Sequence, residues 1–222
     1  MAGCGSKQEG ASSGSKTSSR RMVYNKVINI AGINMLSCTG TLFVADRLGL
    51  FDQLGLKVKI FYPMSGPACL EAYVAGEADV IDIGAMTAIL AVDHGVPIKL
   101  LTGNHIGHGG FTVSNELYRA GVTDMAAFAR YVKENRGGRP VSFGTQVPGT
   151  VSELVAQMML RQWGIDPDRD LHFQPLPLPE LASGIISGAL DAISVCESFD
   201  TVPEVKGKGV VIAHNSDGGT HG

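Results

Sequence analysis

Residues 61–90 of the chain read FYPMSGPACLEAYVAGEADVIDIGAMTAIL, and the order of elements in this stretch sets the predicted architecture. The residue types indicate a strand end, a turn, a helix, a tight G-E-A-D turn, a short apolar strand and a second helix start. A similar stretch, FQPLPLPELASGIISGALDAISVCESFDTV, begins at Phe173, 112 residues after Phe61. The aspartate of the tight turn recurs at the same offset, as Asp79 and Asp191. The repeat predicts two similar α/β halves whose strand-end loops face a cleft.

Five further pairs of residues match between the two halves, which indicates an internal duplication of the plan. Three pairs lie 112 residues apart and two lie 109 apart: Pro63 and Pro175, Gly76 and Gly188, Gly32 and Gly144, then Gly40 and Gly149, Gly55 and Gly164. Strand and helix patterns alternate with short connections, so we expect a mostly parallel sheet covered by helices on both faces. The same alternation predicts a fourth strand in VPIKLLTG, residues 96–103.

The overall composition is that of a folded protein without a basic surface. A chain of 222 residues, 44% of them apolar, is long enough to bury a substantial core. The net charge of −3 argues against nucleic acid as a partner. No run of about 18 apolar residues occurs, so no segment is predicted to span a membrane. The 29 glycines concentrate at strand-to-helix turns, where backbone amides face ligands.

The four cysteines form no CxxC pair and no spacing typical of a metal site. Cys38, Cys69 and Cys196 are therefore expected to be small apolar residues of a core or wall. Cys4 lies in MAGCGS, ahead of a polar stretch rich in serine, glycine and lysine. This N-terminus resembles the end of a bacterial lipobox followed by a tether, which implies a lipid on Cys4. The alternative is an ordinary disordered N-terminus.

Three segments together resemble one family of proteins. They are LFVADRLGLFDQLGLKVKI at residues 42–60, AYVAGEADVIDIG at residues 72–84, and the stretch of residues 164–199. Their order and spacing are similar to those of the solute-binding proteins of ABC importers for nitrate, sulfonate, taurine, bicarbonate and thiamine precursors. The resemblance implies an α/β, periplasmic-binding-protein-like fold with two Rossmann-like lobes joined by a hinge. It also implies that the C-terminal part of the first lobe is missing.

On this plan the chain divides into five parts. Residues 1–25 are a lipobox remnant and disordered tether, 26–104 the first lobe, 105–110 the hinge, 111–207 the second lobe, and 208–222 a return crossing strand and tail. The hinge lies in the glycine-rich segment TGNHIGHGG, which interrupts the alternation of strands and helices.

The resemblance implies a function in uptake. The expected protein captures a small anion or small organic solute in the cleft between the lobes and delivers it to a permease and ATPase complex. It would act as a monomer in a periplasmic or other extracytoplasmic location, with the lipid on Cys4 as its only membrane attachment. No catalysis and no cofactor are expected. Two alternatives stay open: an enzyme on the same scaffold, similar to the thiamine pyrimidine synthase or the menaquinone-pathway lyases, and a ligand sensor without transport.

Ligands of open α/β sheets bind beyond the carboxyl ends of the strands, and this rule selects five loops. The loops are residues 34–39, 65–67, 85–87, 145–150 and 197–199. Each precedes a helix, so unpaired N–H groups and the positive end of a helix dipole point at the cleft. No arginine or lysine occurs in them, which favours an anion held by backbone groups or a neutral heteroaromatic ligand. The predicted ligand-binding residues are Ser37, Ser65, Gly66, Met86, Thr87, His108, Thr145, Gln146, Thr150 and Glu197.

Several of these residues also have a purely structural interpretation. Ser65 and Thr87 each stand where a helix N-cap is expected, and a capping hydroxyl needs no ligand. Gln146 differs, because a long polar side chain directly after a strand has no obvious structural purpose. It is therefore the stronger candidate.

The charged and imidazole-bearing candidates are harder to separate. Glu197 is expected to be buried and therefore paired, either with an amine on the ligand or with helix N-terminal amides. His105 and His108 lack a third ligand at a suitable spacing. We therefore expect hydrogen-bonded hinge histidines, with a ligand-facing donor as the alternative, and no metal site.

Overall fold

The residues that the structure describes form two β-sheets, and helices pack against both. The computed structural model describes residues 25–34, 37–105, 107, 109–135 and 137–217. The strands are β1 (Val27–Gly32), β2 (Lys57–Phe61), β3 (Val80–Asp82), β4 (Gly110–Ser114), β5 (Val141–Thr145), β6 (Leu171–Pro175), β7 (Ala192–Val195) and β8 (Gly209–His214). The first sheet has the order β2-β1-β3, and the second has the order β6-β5-β7-β4-β8.

The helices of the described residues lie mainly between consecutive strands. They are α1 (Gly40–Arg47), α2 (Leu50–Gln53), α3 (Gly66–Val74), α4 (Ala85–Asp93), α5 (Asn115–Arg119), α6 (Met125–Glu134), α7 (Val151–Gln162), α8 (Pro167–Asp170), α9 (Leu178–Ser187) and α10 (Val202–Val205). Short 3-10 helices cover Ser37–Thr39 and Asn215–Asp217. Within these residues, no helix has the length and apolar content needed to cross a membrane.

The first sheet is parallel throughout, as the alternating pattern predicts. Strand β1 lies at its centre and pairs in parallel with β2 and with β3. The helices α1 and α2 connect β1 to β2, and α3 connects β2 to β3. Parallel neighbours need such crossovers, because the chain must return to the starting end of the sheet between strands.

The prediction of a fourth strand in residues 96–103 is wrong. Among the residues described between the end of α4 at Asp93 and the start of β4 at Gly110, the structure has no strand. Leu100 and Leu101 are 80% and 77% exposed. An extended segment becomes a strand only where a neighbour pairs with its backbone. The described residues of this segment pair with neither edge strand of the first sheet, β2 or β3.

The second sheet is mixed, so the expectation of a mostly parallel sheet holds for only part of it. Strand β5 is parallel to β6 and β7, but β4 is antiparallel to both of its neighbours, β7 and β8. The chain enters β4 from residues 105–109 rather than from a helical crossover. Strand β4 lies between β7 and β8 in the sheet. The segment that contains α10 connects β7 to β8 and so crosses β4.

The tight turn of the repeat has the same backbone conformation in both halves. Gly76 and Gly188 have φ angles of 77° and 80°, a region that glycine enters without steric cost. The aspartate after each turn accepts a hydrogen bond from a backbone N–H of the neighbouring strand. These bonds run from Asn29 N to Asp79 Oδ2 and from Ser142 N to Asp191 Oδ2, at 2.8 Å each. The repeated turn therefore has a structural role, at the end of the strands opposite the predicted ligand loops.

The register of the two halves matches the predicted repeat across one pair of strands and differs by one residue across the other. Ala31 pairs with Phe61, and Phe143 pairs with Phe173, so both strands keep the offset of 112 (143 − 31 and 173 − 61) and Gly32 corresponds to Gly144 as predicted. On the other side, Ile30 pairs with Val80 and Phe143 with Ala192, which gives 143 − 30 = 113 for the first strand and 192 − 80 = 112 for the last.

Two clusters of buried apolar side chains form the core. The first surrounds three phenylalanines of the second half, with the Phe111 ring centroid 4.9 Å from that of Phe128 and 5.1 Å from that of Phe143. The second cluster is shared between the sheets, since it contains Ala31 of β1 and Ile193 of β7. The two halves are therefore joined by apolar contacts as well as by the chain.

Candidate functional site

Strand-end loops of the two sheets meet where α4 and α7 begin. The Thr87 hydroxyl, in the first turn of α4, donates a hydrogen bond to the carbonyl oxygen of Gly149 at 3.0 Å. A Cβ added to Gly84 would lie 2.5 Å from Cγ2 of Val151, the first residue of α7. The start of α4 from the first half thus touches the start of α7 from the second, as the predicted cleft between strand-end loops requires.

Thr87 does not act as a helix N-cap, so its structural interpretation is wrong. The N-cap of α4 is Gly84, which has no side chain to accept a capping bond. Thr87 is buried instead, and the start of α3 packs on it, since a Cβ on Gly66 would lie 3.0 Å from the Thr87 hydroxyl oxygen. The N-termini of α3, α4 and α7 therefore converge around this threonine and Gly149.

Two of the predicted ligand residues are observed as helix caps. The Ser65 hydroxyl accepts a hydrogen bond from the backbone N–H of Ala68 at 3.3 Å. The Thr150 hydroxyl accepts one from the N–H of Glu153 at 3.3 Å and donates to the Val147 carbonyl at 2.8 Å. These contacts account for both hydroxyls without a ligand. Ligand contact at the two residues stays a prediction.

Thr145 is the last residue of β5, Gln146 follows it, and both are buried. The Thr145 hydroxyl donates to the Ser194 carbonyl at 3.1 Å, so it connects β5 with β7. Gln146 is 6% exposed, and its Oε1 atom accepts a weak hydrogen bond from the Cys196 thiol at 3.8 Å. Gln146 is thus a long, buried polar side chain three residues before Gly149 in the chain. Ligand contact at Thr145 and Gln146 stays a prediction.

The three described cysteines have the packing role predicted for them. Cys69 and Cys196 are fully buried, and Cys38 is half-buried against the shared apolar cluster. Burial raises the pKa of the Cys196 thiol to about 12, with the nearby Cys38 thiol as a smaller cause. Burial also raises the pKa of the Cys69 thiol to about 12. Both buried thiols are therefore uncharged at neutral pH, including the one that contacts Gln146.

A polar network connects residues 104 and 105 with the end of β3. The Asn104 amide donates to Asp82 Oδ1 at 3.1 Å and to the Cys38 carbonyl at 3.2 Å. His105 Nδ1 lies 2.7 Å from Asn104 Oδ1, so this histidine is hydrogen-bonded, as expected of a hinge residue. Burial is the largest influence on Asp82 and raises its pKa, while the Asn104 bond and the His105 charge oppose the change. His108 lies outside the described residues.

The expectation that Glu197 is buried is wrong. It is exposed, because it lies in the turn beyond the end of β7, and the buried acid of this turn is Asp200, which is 0% exposed. Burial raises the pKa of Asp200 to about 6. Glu197, Asp200 and His214 each offer one potential metal-ligand atom, and these atoms lie within 4.8 Å of one another. Asp200 and His214 were missed in the sequence, where only the spacing Glu-x-x-Asp before an apolar strand ending in His hints at them.

The remaining predicted residues have less defined surroundings. Met86 is half-buried in the first turn of α4. Ser37 begins the short 3-10 helix, and its side chain, like Cys4, lies outside what the structure describes. The ligand role of Met86 and Ser37 and the lipid on Cys4 stay predictions.

Solved structures of binding proteins share this fold. The ligand-binding component of an ABC-type import system from Staphylococcus aureus, with zinc bound, is 18% identical with a TM-score of 0.69, over 86% of this chain and 62% of that one. The periplasmic nitrate-binding protein NrtA from Synechocystis is 17% identical with a TM-score of 0.69, over 85% of this chain and 51% of that one. The predicted fold class, α/β of the periplasmic-binding-protein type, is confirmed.

The chain is also similar in sequence to a protein of a transport system. The bicarbonate transport ATP-binding protein CmpC of Synechocystis is 24% identical over 193 residues, which are 84% of this chain and 28% of that protein. The chain thus spans just over a quarter of the length of this relative. The sequence also matches the NMT1-like family over residues 25–217, and the chain belongs to that family.

Proposed function

We propose that this chain is the solute-binding component of an ABC importer and that it holds its solute between the strand-end loops of the two sheets. The observation that carries the proposal is the contact of Thr87 with Gly149, which brings strand-end loops of both halves together. Membership of the NMT1-like family and the binding proteins that share the fold support it. Binding would hold the two halves together, and the permease would recognise that state.

The solute class follows from the groups around this contact. The N-termini of α3, α4 and α7 converge there, and each of these helices has at least nine residues. Helix N-termini offer unpaired N–H groups and a partial positive charge to an anion. The five predicted loops contain no lysine or arginine. We therefore favour a small anion held by backbone groups, such as nitrate or bicarbonate, ahead of a small neutral organic solute.

The wider arrangement of the protein is part of the same proposal. Residues 26–104 and 111–207 would be the two lobes and residues 105–110 the hinge between them. The chain would act as an extracytoplasmic monomer, would be attached to the membrane by a lipid on Cys4, and would deliver its solute to a permease and ATPase. It would bind without catalysis.

A screen for thermal stabilisation tests the proposal. Nitrate, bicarbonate, taurine, an alkanesulfonate and a pyrimidine would each be titrated against the purified chain, with chloride at equal ionic strength as the control. A solute at about 100 times its Kd stabilises the folded state by about 2.7 kcal/mol, so the melting temperature rises with concentration. The bound solute, recovered and measured by mass spectrometry, should be chemically unchanged.

Two outcomes contradict the proposal. If no solute raises the melting temperature above the chloride control, the binding function is rejected. If a solute is converted during incubation, the enzyme alternative replaces it. A specific solute recovered unchanged supports binding, and transport then requires that a permease and ATPase take up the same solute.

A further inference from the structure

A second candidate site lies where β7 and β8 end. Glu197 and Asp200 belong to the turn that follows β7, and His214 is the last residue of β8. Their potential ligand atoms, two carboxylate oxygens and one imidazole nitrogen, lie within 4.8 Å of one another. Strand β4 separates β7 from β8 in the sheet, so only the tertiary fold brings these residues together.

Asp200 provides an independent indication that a cation belongs here. The residue is 0% exposed, and its Oδ1 atom accepts a hydrogen bond from the Thr201 N–H at 2.8 Å. Its Oδ2 atom is buried too and has no hydrogen-bond partner among the residues that the structure describes. A buried carboxylate oxygen without a donor is costly to fold. A bound cation would remove that cost.

The backbone next to Asp200 leaves space for this carboxylate. Gly110 pairs with His214 across β4 and β8. A Cβ at Gly110 would lie 3.0 Å from Asp200 Oδ2 and 2.9 Å from Val211 Cγ1, closer than ordinary contacts. Glycine at this position therefore lets the buried carboxylate oxygen of Asp200 lie close to the β4 backbone, opposite His214 of β8.

We propose that Glu197, Asp200 and His214 bind one divalent transition-metal ion of the zinc type. Zinc takes carboxylate oxygens and imidazole nitrogens at about 2.0–2.2 Å, which places bound ligand atoms about 3.2–3.6 Å apart. The observed span of up to 4.8 Å needs only a small movement, and Glu197 and His214 are exposed and able to make it. Magnesium and calcium prefer oxygen ligands throughout, so the nitrogen donor disfavours them.

The metal would connect two parts of the second sheet. It would hold the turn after β7 against the end of β8 and would neutralise the buried carboxylate between them. Three protein ligands leave at least one position for water or another donor. This site goes beyond the proposed function, and its test uses the metal alone, so the result does not depend on which solute the chain binds.

Calorimetric titration of the untagged full chain, stripped of metal with a chelator, tests the site. Zinc chloride should bind one ion per chain with a micromolar Kd, and magnesium and calcium chloride should give no saturable binding. His214→Ala and Glu197→Gln should each weaken zinc binding at least tenfold. Both residues are exposed, so neither change should unfold the chain. Asp200→Asn should weaken binding by a similar factor.

His172→Ala is the matched control, since this exposed histidine lies in β6, at the opposite edge of the same sheet. It should leave the Kd for zinc unchanged. The proposal is overturned if zinc does not bind below millimolar concentration. It is equally overturned if His214→Ala and Glu197→Gln bind zinc as tightly as the parent chain, or if His172→Ala removes the binding.

Discussion

The Thr87 hydroxyl donates a hydrogen bond to the carbonyl oxygen of Gly149 over 3.0 Å, and this bond joins the start of α4 to the loop before α7. Thr87 is 4% exposed and Gly149 is half-buried, so loss of the hydroxyl would leave a half-buried carbonyl with one donor fewer. Thr87→Val keeps the shape of the side chain and removes the hydroxyl. We expect it to lower the free energy of unfolding, measured in urea, by about 1–2 kcal/mol. Thr41→Val, at an exposed position of α1, is the control and should change it by less than about 0.5 kcal/mol. Equal effects of the two substitutions would contradict a special role for the contact.

Gln146 is a predicted solute ligand whose side chain is buried and accepts a weak hydrogen bond from the Cys196 thiol. Gln146→Met keeps the length of the side chain and removes its amide, so the packing against Cys196 should be kept. The Kd for the solute found in the screen should rise at least tenfold, which is about 1.4 kcal/mol, because a polar contact is lost. Calorimetry measures the change, and Gln162→Met, at the exposed C-terminal end of α7, should leave the Kd unaltered. An unchanged Kd for Gln146→Met would remove this residue from the site.

The two repeated aspartates should contribute unequally to stability. Asp191 is 5% exposed and accepts bonds from the Ser142 N–H at 2.8 Å and from Arg139 at 2.7 Å, whereas Asp79 is exposed. Asp191→Ala should lower the free energy of unfolding by about 2–3 kcal/mol and Asp79→Ala by about 1 kcal/mol. Urea denaturation measures both, with the exposed Asp93→Ala as the control. If Asp79→Ala lowered the free energy of unfolding more than Asp191→Ala, the contributions of the two aspartates would not follow their burial.

Cys69 and Cys196 should resist alkylation in the folded protein. Both are 0% exposed, and burial raises each pKa to about 12, so almost no thiolate is present at pH 8. Iodoacetamide followed by peptide mass spectrometry should find both unmodified in the native chain and fully modified in urea. Cys38, which is half-buried, should react at an intermediate rate. Rapid labelling of Cys196 in the native chain would contradict the tight packing around Cys196 and Gln146.

Asp82 should make stability depend on pH. Burial raises its pKa, so the folded state binds the proton more tightly than the unfolded state does. Stability contributed by this group is therefore present below the unfolded pKa of about 3.9 and is lost as pH rises through the folded pKa. The groups that influence it are the Asn104 amide and the His105 imidazole.

Asp82→Asn should remove this loss. Urea unfolding of both proteins between pH 4 and pH 7 should show the variant gaining stability relative to the parent chain as pH rises. Parallel curves would mean that Asp82 keeps an ordinary pKa in the fold.

Local patterns in the sequence were sufficient to predict the α/β class and the order of elements in residues 61–90. The alternation in residues 61–90 predicts the strand, helix, tight turn and strand that the structure contains, because side-chain periodicity and glycine turns depend on near neighbours. Gly76 and Gly188 take the left-handed conformation expected of them. Gln146 could be selected from the sequence because a long polar side chain directly after a strand is unusual. Recognising it requires no knowledge of its neighbours in space.

Properties that depend on distant partners needed the fold. Residues 96–103 have a strand pattern but pair with no strand in the structure. The bond from Thr87 to Gly149 links residues 62 apart in the chain. The trio of Glu197, Asp200 and His214 forms because β7 and β8 both pair with β4, where Gly110 lies between Val195 and His214. Burial and proximity are sums over many non-local contacts, and a linear pattern of residue types contains no record of them.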